Sequence, residues 1–228
     1  MILTDFVRTT VLTTVAIKQV LDVDDHALKR FERETLITAR LEHPSIVPLY
    51  DAGRGADGLP YYVMRKVVGR PLVELIKETT DDRERLALIP HVLSASEAVA
   101  HAHRRNVIHR DLKPSNILVG ELGEIVVIDW GLAKVLDEPD DDAAPAAPSA
   151  NTSLRTELGT SMGTPGYMAP EQLEGDPQSP SADVYALGAT LYHVVSGTPP
   201  HHAPNGEGMR ARALAGPPAP MRSIASGV

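Results

Sequence analysis

The chain has 228 residues, 43% of them hydrophobic, enough to build a sizeable core in one domain or two small lobes. A formal net charge of −8 favours solubility and argues against a nucleic-acid-binding surface. There is no cysteine, which excludes disulfides and cysteine-based zinc sites, and no apolar run of about eighteen residues, the length a membrane helix needs.

The first fourteen residues mix Asp5 and Arg8 into a short apolar pattern, unlike a signal peptide. Val15-Ala16-Ile17 is an apolar run ending at Lys18 and suits a buried strand. The polar stretch Asp22–Asp25 predicts a helix start, and a helix follows from about His26 to Leu41. On it Glu34 shares a stripe with Phe31, Thr38 and Leu41. A carboxylate on an inward stripe needs a partner; the local alternative is a surface pair with Arg30. Ile46–Tyr50 and Tyr61–Val68 read as two strands joined by a glycine-rich turn. That turn, Gly53 to Gly58, matches G-x-G-x-x-G literally. It precedes a strand, not a helix, so it reads as a hairpin turn and not a nucleotide-binding loop.

Asp81 or Asp82 is placed to cap one long helix through Leu86, Leu88, Val92, Ala95, Val99 and His103. Two short strands follow, Ile117–Val119 and Ile125–Ile128, with a hairpin at Glu121-Leu122-Gly123. Asp137–Ser153 holds five acidic residues and three prolines and reads as a mobile loop inside a domain, its run Asp140-Asp141-Asp142 being solvated. A last clear helix runs from about Ser181 to Val195, stopped by Gly197 and Pro199, with a short one around Glu207–Ala215. His101 and His103 face different sides of their helix, and His201-His202 lies in a Gly/Pro loop, so the nine histidines do not suggest a metal site.

The chemistry concentrates in His109-Arg110-Asp111-Leu112-Lys113-Pro114-Ser115-Asn116, followed at Asp129-Trp130-Gly131 by a second string. With Val15-Ala16-Ile17-Lys18 before them and Ala169-Pro170-Glu171 after, they resemble the four signature motifs of eukaryotic-type protein kinases. The resemblance covers roughly residues 5 to 215. It is closest to the bacterial serine/threonine branch, given Gly163-Thr164-Pro165-Gly166-Tyr167-Met168-Ala169-Pro170-Glu171-Gln172.

The resemblance implies a two-lobed α+β kinase fold: residues 1–68 as a strand-rich N-lobe remnant and 69–228 as a helical C-lobe. It implies transfer of the γ-phosphoryl of ATP, with Mg2+, to serine or threonine hydroxyls of proteins. Asp111 would orient the hydroxyl and take its proton, Lys113 would place charge beside the transferring group, and Thr164 would help position the hydroxyl. Asn116 and Asp129 would ligate Mg2+. Lys18, paired to Glu34, would grip the phosphates. Ala16 and Leu118 would sandwich the adenine, with Met64 behind it and Val67 in the connecting hinge Arg65-Lys66-Val67. Asp183 would hold the catalytic-loop backbone. Trp130 stands where the family usually has Phe. Self-phosphorylation would fall at Thr156, Thr160 or Ser161, with Arg110 as the charge nearby. A cytoplasmic location is implied, alone or as the cytoplasmic part of a larger protein, with no nucleic acid as partner.

Two rivals carry different expectations. A kinase-like module acting by binding fits the absence of glycine among the seventeen residues before Lys18, where the family has a phosphate-covering glycine loop. A small-molecule kinase fits less well, because Ala169-Pro170-Glu171 belongs to a peptide-docking element. The same comparison predicts a domain shortened at both ends, with Glu171 lacking the arginine that would neutralise it.

Overall fold

The computed structural model describes residues 2–8, 11–20, 25–136, 138 and 164–221. Four antiparallel strands open the chain: β1 (Ile2–Arg8), β2 (Val11–Gln19), β3 (Leu49–Arg54) and β4 (Pro60–Arg65), in the order β1-β2-β4-β3. In β2 the Val15 and Ala16 side chains are buried, as an apolar run ending in a cation should be. Helix α1 (Asp25–Ala39) packs against β3 and β4. Its two ends join different cores. Ile37 and Leu41 belong to the large cluster around Leu72, Val99, Ile117 and Trp130. Phe31 belongs to a small one with Val20 and Tyr62, its ring stacked 5.1 Å from that of Tyr62.

The G-x-G-x-x-G stretch is the β3–β4 hairpin. Gly55 donates to the Leu59 carbonyl at 2.9 Å, and Gly58 supplies the left-handed φ of +79° the turn requires. Two boundaries differ from expectation. The first strand of the hairpin starts at Leu49, because Ile46 instead forms a parallel bridge to Val127. The second ends at Arg65, and the chain then runs extended to Gly69, where an added Cβ would lie 2.7 Å from the Val119 carbonyl oxygen.

Beyond it the fold is helical. β5 (Arg70–Pro71) leads into α2 (Leu72–Glu78), a helix the sequence reading missed. The single helix expected from Asp81 to His103 is two: α3 (Asp82–Leu86) and α4 (Ile89–His103). Pro90 explains the break. Without an N–H it cannot continue a helix and belongs in a first turn, where it stands. Asp81 is the cap, accepting from the Glu84 N–H at 2.8 Å. β6 (Val107–Ile108) pairs with β9 (Lys134–Val135), and β7 (Ile117–Val119) with β8 (Ile125–Val127) across a turn in which Gly123 has φ +82°.

α5 (Pro170–Glu174), α6 (Pro180–Ser196) and α7 (Gly206–Ala215) complete the described chain. Gly197, left-handed at φ +74°, ends α6. α7 packs on α5 through Met168, Leu173 and Ala213. The acidic loop, together with Thr156, Thr160 and Ser161, lies outside the described residues apart from Glu138. Among the described residues no helix is long and apolar enough to cross a membrane.

Candidate active site

Two clusters of polar side chains face each other. The first is carried by β2, β4 and α1. Lys18 Nζ lies 2.5 Å from Glu34 Oε1, so the inward carboxylate takes Lys18 and not Arg30 as its partner. Lys18 and Tyr62 are cross-strand partners, and the Tyr62 hydroxyl donates to the same Glu34 oxygen at 2.7 Å. Burial, and then the neighbouring Glu34 and Asp129 carboxylates, push the Tyr62 phenol well above its ordinary pKa, so it stays a donor. Tyr62 was not singled out from the sequence, since a strand tyrosine is ordinary core material.

The second cluster is the loop between β6 and β7. Lys113 Nζ lies 2.8 Å from Asp111 Oδ2 and donates to Thr164 Oγ1 at 2.9 Å. Asn116 Nδ2 donates to the Asp111 carbonyl at 2.8 Å and to its side chain at 3.2 Å, so that Oδ1 is the amide atom able to meet a cation. Ile128 ties the loop to the Asp129 turn: its N–H donates to the Asn116 carbonyl at 3.0 Å and its carbonyl meets His109 Nε2 at 3.2 Å. The other His109 nitrogen accepts from the Asp111 N–H at 3.3 Å. Asp129 and Arg110 sit at φ +64° and +69°, a left-handed region costly for non-glycine residues. Trp130 is 2% exposed, its ring 4.6 Å from that of His109.

Longer-range contacts hold this loop. Asp183, 1% exposed on α6, accepts from the N–H groups of His109 at 2.8 Å and Arg110 at 2.9 Å, and from His103 Nε2 at 2.7 Å. Gln172 bridges it to α5, and the Arg110 side chain donates to the Leu132 carbonyl. The Tyr167 N–H donates to the Thr164 carbonyl at 3.0 Å, and its hydroxyl lies 2.6 Å from His193 Nδ1. Burial, with smaller effects of Lys77 and His202, lowers the His193 pKa to about 4, so the neutral ring accepts from the phenol.

The turn at Gly131 joins the two clusters. A Cβ there would lie 3.1 Å from Glu34 Oε2 and 3.2 Å from Asp129 Oδ1. Lys18, Glu34 and Asp129 therefore border one cleft, with Asn116 tied to Asp129 through Ile128. Two hard oxygens and a nearby lysine suit a cation that brings phosphate ligands with it. Among the described residues no three or more His, Asp or Glu side chains form a metal site by themselves.

The expected nucleotide-contacting residues fall on β2, β4 and β7 and in the link after β4. Ala16 is opposite Met64 across β2 and β4, Leu118 is half-buried on β7, and Val67 is half-buried in the link after β4. Glu171 is half-buried and accepts from Ser181 Oγ at 3.3 Å. A groove of about 370 Å³ lies between α1 and the β3–β4 hairpin, lined by Phe31, Leu36, Ala52 and Tyr61 among others.

Comparison with known proteins fits this arrangement. The protein kinase domain family matches residues 5–220. A serine/threonine-protein kinase PknD of Protochlamydia amoebophila is 37% identical over 182 residues, 74% of this chain and 18% of that protein. The PknD of Chlamydia trachomatis serovar L2b is 36% identical over 228 residues, 91% of this chain and 24% of that protein. A probable serine/threonine-protein kinase of Corynebacterium efficiens is 35% identical over 178 residues, covering 75% and 24%. The chain thus spans about a fifth to a quarter of the length of these relatives. None of these comparisons favours the binding-only alternative.

Proposed function

Since the chain belongs to the protein kinase domain family and is a serine/threonine-protein kinase domain of bacterial type, we propose that its two facing clusters divide the work of phosphoryl transfer between Lys18 and Asp111. Bound MgATP supplies the phosphoryl group and a cation that offsets its charge. Lys18, held by Glu34, grips the phosphates. Asn116 Oδ1 and Asp129 hold the cation. Ala16, Met64, Val67 and Leu118 receive the adenine. Asp111 aligns the acceptor hydroxyl and takes its proton, while Lys113 sets positive charge beside the transferring group and Thr164 fixes the lysine. The observation that carries this reading is the chain of contacts Thr164–Lys113–Asp111–Asn116, which brings a base, a cation and a metal-type oxygen into one cleft.

The substrates are proteins presenting serine or threonine. The lobes divide near Val68. The domain works in the cytoplasm, where ATP and Mg2+ are plentiful. Self-phosphorylation falls at Thr156, Thr160 or Ser161, close in sequence to the Gly163–Glu171 segment. Phosphate found by mass spectrometry between Thr152 and Ser161 after ATP treatment supports this; an unmodified segment in an active enzyme contradicts it.

The direct test incubates the protein with labelled ATP and a generic basic protein, followed by phosphoamino-acid analysis. Phosphoserine and phosphothreonine are expected, without phosphotyrosine. Asp111→Asn removes a charge with little change of volume. It should cut transfer about 10²- to 10⁴-fold while leaving the melting curve in place. Undiminished transfer by that variant would falsify the assignment of Asp111.

A further inference from the structure

Gln172 opens α5 at the third helical position, and helix starts commonly place Glu or Gln there. Such a side chain reaches back to an otherwise unpaired N–H at the cap. Gln172 does this: its Oε1 accepts from the Ala169 N–H at 3.1 Å. A glutamate would cap equally well. The difference lies in the other half of the amide. Gln172 Nε2 donates to the Arg110 carbonyl at 3.0 Å, across 62 positions of chain. The side chain is 8% exposed, and only this amide orientation satisfies both contacts.

The Arg110 carbonyl belongs to the peptide group that leads into Asp111. Arg110 is left-handed at φ +69°, a conformation its neighbours must impose. Its N–H is held by Asp183 at 2.9 Å. Gln172 holds the other end of the residue. The peptide leading into Asp111 is thereby held at its carbonyl by Gln172 and at its N–H by His109 Nδ1, at 3.3 Å, and the peptide before it by Asp183; together they fix the direction of the Asp111 side chain.

We infer that Gln172 is a positioning residue for the proposed base: its buried amide clamps the Arg110 carbonyl to the start of α5 and sets the orientation of Asp111. The inference rests on the kinase reading of Asp111. It also links the segment carrying Thr164 to the catalytic loop by a contact separate from that of Lys113, because Gln172 and Thr164 lie on either side of the Ala169 cap.

Gln172→Glu preserves the cap but turns a carboxylate oxygen toward the Arg110 carbonyl. At pH 7.5 its kcat should fall about 10- to 100-fold, the range expected when a reacting group is displaced by about an ångström, with KM for ATP within about twofold. Burial beside a carbonyl raises the pKa of the new carboxyl. Protonation on lowering the pH to 5.5 restores an O–H donor, so activity relative to wild type should rise. Gln172→Met, which can neither donate nor accept, should show the loss without the recovery. The Asp111 amide resonance of Gln172→Glu, from the same peptide plane, should titrate with the same midpoint, and that of wild type should not. A flat activity ratio, a Gln172→Glu variant as active as wild type, a silent resonance, or loss of cooperative melting in both variants overturns the inference. An inactive wild type whose variant still shows the titrating resonance contradicts the kinase reading and leaves the clamp standing.

Discussion

The backbone of residues 109–111 is fastened by Asp183, Gln172 and His109 itself, and that of Asn116 by Ile128. Helix α1, in contrast, meets Lys18 through a single carboxylate oxygen, shared with Tyr62. The helix meets the main core near its far end, through Ile37 and, just beyond it, Leu41, while Phe31 rests in the smaller cluster with Val20 and Tyr62. The half proposed to handle the proton is thus over-determined, and the half proposed to grip the phosphates is adjustable about the end of one helix. That difference suits the chemistry. A general base must be placed before the substrate arrives. A phosphate grip can close on its ligand, and a helix with two discrete positions is a natural element for control.

Removing one tether from each half sharpens the contrast. Asp183→Asn should cost the fold about 3–5 kcal/mol, because the carboxylate is buried and serves three donors, two of them backbone groups with no alternative. Lys18→Met should cost only about 1–2 kcal/mol, since the lysine side chain is 36% exposed and Glu34 keeps Tyr62. Its effect should appear in catalysis instead, as a loss of about 10²- to 10³-fold in kcat/KM for ATP. Denaturant melts and steady-state kinetics on both variants check this. Equal stability losses would erase the proposed asymmetry.

Acid should act on the over-determined half. The His193 pKa is lowered to about 4 from 6.5, by burial first. Its folded value lies below its unfolded value, so its contribution is full above about pH 6.5 and is lost as the pH falls toward 4. The amount is on the order of 2–3 kcal/mol. A proton on Nδ1 also ends acceptance from Tyr167, which supports the Thr164 turn. Burial lowers His201 and His91 in the same direction. His193→Asn retains an acceptor and does not titrate, so its melting temperature should fall less than that of wild type between pH 6.5 and 5. Identical slopes would remove His193 from the account.

The motif residues of both halves were legible in the sequence, and most of the residues that hold them were not. Lys18, Asp111, Lys113, Asn116 and Asp129 stand in short strings that resemble kinase motifs. Of the residues that hold them, Glu34 and Asp183 were expected, and Tyr62, His103, Gln172 and His193 were not. His103 with Asp183, Gln172 with Arg110 and Tyr167 with His193 are separated by 80, 62 and 26 positions, and contacts at such separations leave no periodicity to read. Local signals were present where elements were misjudged. Pro90 marks the break between α3 and α4, and Leu72, Leu75 and Ile76 at helical spacing mark α2. The early placement of the strand at Ile46–Tyr50 arose because Ile46 is apolar for a different reason. It bridges Val127 at the edge of β8 and is 1% exposed in the large core cluster.

Amide hydrogen exchange with and without MgATP measures the asymmetry most directly. Without nucleotide, amides in the first half of α1 and in β2 around Lys18 should exchange by local opening, while those of His109 and Arg110 exchange only with global unfolding. MgATP should slow the first group markedly and leave the second nearly unchanged. Equal protection of both groups in the free protein, or a nucleotide effect confined to the catalytic loop, would contradict the account.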